Sequence, residues 1–313
     1  MKAASFSSPS ARHKRLKLYL ALSRTPHGLL DMATPAFSAL LYLGRFPSIG
    51  VVLIGLVTAF AGYTAIYALN DIVDYRTDKR RTADAGAAPA NYLDAVMVRH
   101  PMAAGLMTFE QGLLWAVGWT LVALIGAYIL NPVCIVIFAA GAVLETVYCL
   151  LWRVSPWRAV VSGFVKNSGP VAALFAVDPH PEPLFAVLLF LGLFFWEIGG
   201  QNIPNDWADM AADRRMRART IPVQLGVDLA AKLAVMALFI ATALLVVLFL
   251  ASFPGMQGMA ALASALAGSF LLLMPGLRLF YARSRRAAMA LFDSASYLPA
   301  TLLGLTLILI MVP

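Results

Sequence analysis

Apolar residues run through this chain in long unbroken blocks, not at the spaced positions of a helix that covers a soluble core. A helix needs about 20 consecutive apolar residues to cross a bilayer. Nine stretches approach that length: 27–44, 48–70, 110–130, 132–151, 159–177, 183–203, 227–251, 257–279 and 288–312. The breaks between them are helix-stopping or polar, among them Arg45-Phe46-Pro47, Asn131-Pro132, Asp178-Pro179-His180-Pro181-Glu182-Pro183 and Ser252-Phe253-Pro254-Gly255. The pattern predicts an all-α, polytopic membrane protein with nine transmembrane helices.

The stretch before the first block reads differently. Arg12, Lys14, Arg15 and Lys17 precede only Leu18–Leu22, and then Ser23-Arg24-Thr25-Pro26. That apolar run is too short for a secretory signal core, and no small-residue cleavage site follows it. Residues 1–11 are rich in Ser and Ala and are expected to lack regular structure. Residues 12–24 fit a basic amphipathic helix lying on an anionic membrane surface. The chain is thus expected to divide into a basic cytoplasmic segment, 1–24, and a transmembrane domain, 25–313.

Composition agrees with the blocks. Of 313 residues 61% are hydrophobic and 13% charged, where soluble domains have about 45–50% and about 25%. Mean hydropathy is +0.78. A net charge of +8 would suit a nucleic-acid partner, but its distribution argues against one. Basic residues gather in the N-terminal tail and in alternate connections. Arg76, Lys79, Arg80, Arg81 and Arg99 follow the second block, and Arg153 and Arg158 the fourth. Arg214, Arg215, Arg217, Arg219 and Lys232 follow the sixth, and Arg278, Arg283, Arg285 and Arg286 the eighth. The other connections hold only Arg45. This alternation is the positive-inside signature of nine spans with a cytoplasmic N-terminus, so the charge is topological; the cell inner membrane is the expected location. Cys134 and Cys149 lie in apolar blocks without metal-ligand spacing and read as packing residues.

Two segments carry chemistry. The second block ends in Asn70-Asp71-Ile72-Val73-Asp74-Tyr75-Arg76-Thr77-Asp78, and the sixth in Asn205-Asp206-Trp207-Ala208-Asp209-Met210-Ala211-Ala212-Asp213. Both read N-D-x-x-D-x-x-x-D. On a helix the acids of each motif stand at i, i+3 and i+7 and share a face. Like carboxylates at roughly 4 Å repel by about 4 kcal/mol at an effective dielectric near 20. A divalent cation relieves that repulsion, and carboxylate oxygens with no His or Cys nearby select a hard ion such as Mg²⁺. Two acidic faces with Arg and Lys beside them describe a diphosphate clamp; the plainer alternative is two solvated helix ends, which a matched second copy makes a poor account.

At these residues the chain resembles the UbiA superfamily of intramembrane prenyltransferases, from about Arg24 to the last block. His100-Pro101-Met102-Ala103-Ala104-Gly105 is similar to the family's R-P-x-x-S-G, Tyr148 with Trp152-Arg153 to its Y-x-x-x-K-R, and Thr220–Gly226 to the stretch after its second motif. His100 stands in place of the family Arg, with Arg99 adjacent, and Trp152 in place of the family Lys, so Arg153 remains of that basic pair. The loop through Ala83–Ala90 is longer than usual. The resemblance implies a nine-helix bundle with a central cavity, Mg²⁺ as cofactor, a polyprenyl diphosphate donor, and an aromatic acceptor of the quinone-precursor type. It implies that Asp71, Asp74, Asp78, Asp206, Asp209 and Asp213 hold the metal, with Asp71, Asp74, Asp206 and Asp209 at the catalytic centre. Substrate contacts are expected from Asn70, Asn205, Arg81, Arg99, Tyr148 and Arg153.

Polar residues inside blocks add candidates. Lys166 is costly at depth and faces either a cavity, as a diphosphate contact, or the interface by snorkelling. Glu145 and Glu197 either pair with a basic residue or line the acceptor cavity. Gln201 and Asn202 precede the second motif by one turn, where Asn202 is a candidate substrate contact and both could instead bridge helices. His27 and Asp293 are lone polar residues near helix ends. Pro204 predicts a kink that aims the second motif inward. Other readings remain open: the same fold with a tetrapyrrole or lipid-alcohol acceptor, or a cyclase; a phosphatidyl-alcohol transferase, whose D-G-x-x-A-R cluster is absent; and a cation transporter, which would place its acids at mid-membrane.

Overall fold

The structure, a computed structural model, describes residues 9–84 and 97–311. The described residues form helices and no strand. Helix α1 is Pro9–Leu22, α2 Thr25–Asp31, α3 Ala33–Leu43, α4 Ile49–Val73 and α5 Tyr75–Asp84. Then come α6 Phe109–Leu130, α7 Pro132–Leu150, α8 Arg158–Val177, α9 Pro183–Trp196 and α10 Ile203–Arg215. Helices α11 Ile221–Gln224, α12 Gly226–Ser252, α13 Gln257–Gly268, α14 Met274–Ala282, α15 Arg285–Ser296 and α16 Leu298–Met311 complete the chain.

Among the described residues, eight helical runs are long and apolar enough to cross a membrane: Ile49–Val73, Phe109–Leu130, Pro132–Arg153, Arg158–Val177, Pro183–Arg215, Gly226–Ser252, Gln257–Ala282 and Arg285–Met311. They correspond to the second through ninth predicted blocks. The first, 27–44, is not a single long helix. It breaks at Met32 into α2 and α3, because Pro35 has no N–H for the carbonyl of Asp31. The Thr34 hydroxyl donates to that carbonyl instead, at 2.7 Å. The same cause recurs along the chain. Pro204 follows a π-helical turn over Glu197–Asn202, Pro275 follows another over Ser269–Leu273, and Pro299 follows the turn at Tyr297. A π turn re-spaces the carbonyls that a proline leaves without a donor, so the helix continues with a jog rather than ending.

The ala-rich face of α12 runs through the centre. Ala230, Ala231, Ala234, Ala237, Leu238, Ala241 and Leu245 are all buried. Small residues let membrane helices approach closely, where dispersion and not hydrophobic transfer drives association. Trp196, Leu238, Leu245, Phe249, Leu272 and Leu291 belong to the larger core cluster of the described residues. Outward faces are apolar too, as lipid requires: Val136, Val143 and Leu150 make an exposed stripe at seven-residue spacing on α7. Helix α1 starts at Pro9, inside the stretch expected to lack regular structure. Its last turn is anchored, since Leu22 is buried with Ala68, Met102, Met107 and Ala116.

Candidate active site

Both acidic motifs face one polar pocket of about 160 Å³, and their backbones differ. The second motif lies within the uninterrupted helix α10. The first is divided: Asp71 is in the last turn of α4, Asp74 is that helix's C-cap, and Asp78 is in the first turn of α5. Helical backbone bonds still cross the junction, from Asp74 N to the Asn70 carbonyl at 2.9 Å and from Asp78 N to the Asp74 carbonyl at 2.8 Å. The shared face predicted from spacing therefore survives. Asp74, Asp78, Asp206, Asp209 and Asp213 line the pocket together with Asn70 and Asn205. Asp71, Asp78, Asp206 and Asp213 are buried.

Cations are interleaved with the acids. His100 Nδ1 lies 3.0 Å from Asp71 Oδ1 and 3.0 Å from Asp78 Oδ2. The next residue upstream, Arg99, reaches the other motif, 3.0 Å from Asp209 Oδ2. Consecutive residues thus tie the two motifs together. Arg158 binds Asp206 at 3.3 Å, donates to the Tyr148 hydroxyl at 2.6 Å, and stacks 4.1 Å from the Tyr148 ring centroid. Arg24 meets Asn70 Oδ1 at 3.3 Å and Asp71 Oδ1 at 3.5 Å. Arg24 and His100 both have left-handed backbones, with φ of 44° and 52°. That conformation is uncommon without glycine, and clusters at sites where a side chain must be aimed. Burial opposes protonation of His100, but Asp71 and Asp78 outweigh it and raise its pKa. Burial and the neighbouring Asp78 push the Asp74 carboxyl up to about 6.

Several expectations change here. The absence of His beside the acids does not hold: His100 with Asp71 and Asp78 forms a group whose ligand atoms lie within 4.8 Å of one another. A carboxylate-rich pocket that includes His100 still fits a hard divalent ion, because Asp74, Asp206, Asp209 and Asp213 line it as well, with Asn70 and Asn205. Arg153 is exposed and stacks on Trp152, 5.4 Å from the ring, outside the pocket lining. Arg158 takes the place expected of it, since a short turn and Pro156 fold the chain back so that α8 begins beside Tyr148. Arg81 is on α5, but its side chain lies outside the described residues, as does most of the loop through Ala83–Ala90.

Lys166 does not snorkel. Its ammonium is 2.5 Å from Asp31 Oδ2 and 3.2 Å from the Tyr67 hydroxyl, which also bonds Asp31. His27 stacks on Phe292 and approaches Asp31 at 3.8 Å, while Asp293 lies outside the pocket lining. Glu145 accepts from Asn70 at 2.5 Å, and Glu197 from Ser162 at 2.5 Å. Gln201 bridges helices, bonding the Phe292 carbonyl and Ser296. Asn202 donates to the Tyr148 hydroxyl at 3.2 Å. Glu197, Gln201 and Asn202 are all carried by the π turn that precedes Pro204. Sequence reasoning missed Arg24, Asp31, Tyr67, Ser162 and Arg158. An acid within an apolar block was the available signal for Asp31, with Lys166 as its natural partner.

An apolar chamber of about 330 Å³ adjoins the polar pocket. The two share four lining residues, Tyr67, Glu145, Ser162 and Lys166. From there the chamber follows α4 back to Val51, a distance of about 24 Å at 1.5 Å per residue. Its walls include Ala59, Gly62, Phe138, Gly141 and Ala173.

A family model for UbiA prenyltransferases matches residues 32–303. The chain belongs to the UbiA prenyltransferase family. No curated protein gives a significant sequence match. Among solved structures, an apo UbiA homolog from Aeropyrum pernix K1 superposes with a TM-score of 0.70 at 17% identity, covering 90% of this chain and 97% of that one. A UbiA homolog from Archaeoglobus fulgidus bound to DMAPP and Mg²⁺ gives 0.69 at 16% identity, over 94% and 99%. A digeranylgeranylglyceryl phosphate synthase gives 0.68 at 16%, over 95% and 99%. At these identities the likeness establishes the UbiA fold.

Proposed function

We propose that the protein transfers a polyprenyl group from its diphosphate to an acceptor, with Mg²⁺ as cofactor, and that the acceptor is an aromatic quinone precursor. The observation that carries this reading is the joining of two chambers. One is lined by acids and cations and suits a metal-bound diphosphate. The other is apolar, long and narrow, and suits an isoprenoid tail in contact with membrane lipid. An allylic carbon would lie where they meet, beside Tyr67, Glu145, Ser162 and Lys166.

Asp71, Asp74 and Asp78 of one motif and Asp206, Asp209 and Asp213 of the other would hold Mg²⁺, with Asn70 and Asn205 orienting them. When bound, the ion neutralises charge on the departing diphosphate. Arg24, Arg99, His100 and Arg158 supply preorganised donors for the same charge as the C–O bond lengthens. The apolar chamber keeps water from the cation-like carbon. The acceptor then attacks, and its proton must pass to a group on the protein. Chelation with EDTA should abolish transfer to added acceptors and Mg²⁺ should restore it; full activity after exhaustive chelation would rule out the clamp.

The motifs belong at the cytoplasmic face of the inner membrane, with the N-terminus on the same side, because basic residues accompany both motifs. A cysteine introduced at Ala87 should react with an impermeant thiol reagent from the cytoplasmic side alone. Reaction only from the outside would invert the topology. The domain division proposed at residues 1–24 and 25–313 puts Arg24 at the boundary, so the basic segment contributes its last residue to the pocket. A transporter is the weaker reading, since the acids lie at helix ends and not midway along the spans.

A further inference from the structure

The π-helical turn over Glu197–Asn202 carries two buried oxygens with no hydrogen-bond partner among the described residues. Glu197 is 4% exposed and uses Oε1 to accept from Ser162, while its Oε2 has no hydrogen-bond partner. Asn202 is also 4% exposed; it spends its amide N–H on Tyr148, and its Oδ1 has no partner. Both residues line the polar pocket. The turn itself is held tightly from behind. A Cβ on Gly199 would come within 2.7 Å of the Ala234 carbonyl, and one on Gly200 within 2.8 Å of the Ala295 Cβ. Gln201 is tied to α15 on the far side. The five-residue spacing of a π turn, not available in an α-helix, is what brings positions 197 and 202 to one side. Buried acceptor oxygens left without donors are destabilising, so an arrangement that keeps two of them together points to a ligand that donates hydrogen bonds.

We propose that Glu197 and Asn202 form the acceptor's recognition site, and that Glu197 is the base that removes the acceptor's proton. This rests on the transferase reading above. The class of acceptor follows from the chemistry of the two oxygens: a neutral ring bearing hydroxyl groups, such as a hydroquinone or phenol. A carboxylate directed at this point would meet Glu197 as a like charge. In the step, the allylic C–O bond breaks and its electron pair leaves with diphosphate. The acceptor forms a bond to the allylic carbon, and the acceptor's proton passes to Glu197 Oε2. Ser162, which lines both chambers, holds the carboxylate in place through Oε1. After diphosphate leaves, Glu197 returns the proton to water entering the polar pocket.

The test separates ionisation of the donor from transfer. Geranyl diphosphate labelled with ¹⁸O at the bridging oxygen, incubated with the full-length protein and Mg²⁺ without acceptor, reports ionisation and return by scrambling of the label. Transfer is measured with hydroquinone, and with 4-hydroxybenzoate for comparison. Glu197→Gln is expected to lose transfer by about 100-fold or more through kcat, with scrambling kept within about twofold of wild type. Glu197→Asp should recover part of the loss. Asn202→Ala should raise KM for hydroquinone and leave scrambling unchanged, and it provides the reading if Glu197→Gln does not fold. Hydroquinone should be preferred to 4-hydroxybenzoate by the wild type. Near-normal transfer in Glu197→Gln overturns the proposal, as does parallel loss of scrambling and transfer in both Glu197→Asp and Asn202→Ala. A wild-type protein that neither scrambles the donor nor transfers it removes the transferase reading itself.

Discussion

Asp71→Asn and Asp206→Asn should each lower prenyl transfer by about 100- to 1000-fold, the usual cost of removing one charged group from a preorganised transition-state site. The double variant should lose little more, because groups that act on one transition state are non-additive. The two acids are 135 positions apart in the sequence, yet they belong to the two motifs that Arg99 and His100 tie together, through Asp209 and through Asp71 and Asp78. Folding should survive each change. Asn preserves the shape of the side chain, and Arg158 keeps the Tyr148 hydroxyl when Asp206 is neutralised. His100 keeps Asp78 when Asp71 is neutralised. A merely structural role predicts the reverse pattern: poor yield, with modest rate effects in whatever protein folds. If both single variants fold and transfer at near wild-type rates, the two-motif mechanism fails.

The spans and motifs were legible because membrane helices carry strong one-dimensional signals. Length of apolar run, alternation of basic loops and the i, i+3, i+7 spacing of acids all survive without knowledge of packing. The first span was mis-sized for a local reason. Composition counts apolar residues, whereas the break at Met32 comes from one missing N–H at Pro35. The basic side of the pocket was harder to read. Arg24 and Arg158 look like topological charge in the sequence, and only tertiary geometry shows that they turn inward; Arg99 is expected at the pocket from the family resemblance. Arg153 and Arg158 have the same local chemistry, five residues apart. The turn after α7, which spacing rules do not encode, decides that Arg158 enters the site and Arg153 stacks outside on Trp152. His100 was visible as a departure from the family pattern. Its role needed the left-handed backbone that turns the ring between Asp71 and Asp78. The π turn was likewise anticipated only as a proline kink, and its particular consequence, the shared face of Glu197 and Asn202, depends on a helix period other than 3.6.

Lys166→Met should destabilise the protein more than any change in the acidic motifs. The lysine was a candidate for diphosphate contact from sequence, but its ammonium is committed to Asp31 and Tyr67, and the acid is 3% exposed. Removing one member of a buried ion pair leaves an uncompensated charge and costs about 3–5 kcal/mol in soluble proteins. In a membrane interior Asp31 has still fewer means of relief. Thermal unfolding in detergent should therefore shift well down in Lys166→Met, and also in Asp31→Leu, where the lysine is left alone. The double variant Asp31→Leu with Lys166→Met should recover most of the loss, because a buried ion pair exchanged for apolar residues of similar volume is often neutral. A diphosphate ligand would behave otherwise: Lys166→Met would fold normally, raise KM for the donor, and gain nothing from the second substitution. The distinction bears on how the two chambers are kept apart. Lys166 and Tyr67 line both of them, and their bonds to Asp31 fix α2, α4 and α8 where the polar pocket meets the apolar one. If the pair is a strut, the recovered double variant should fold yet admit water to that junction, and hydrolysis of the donor should rise relative to transfer.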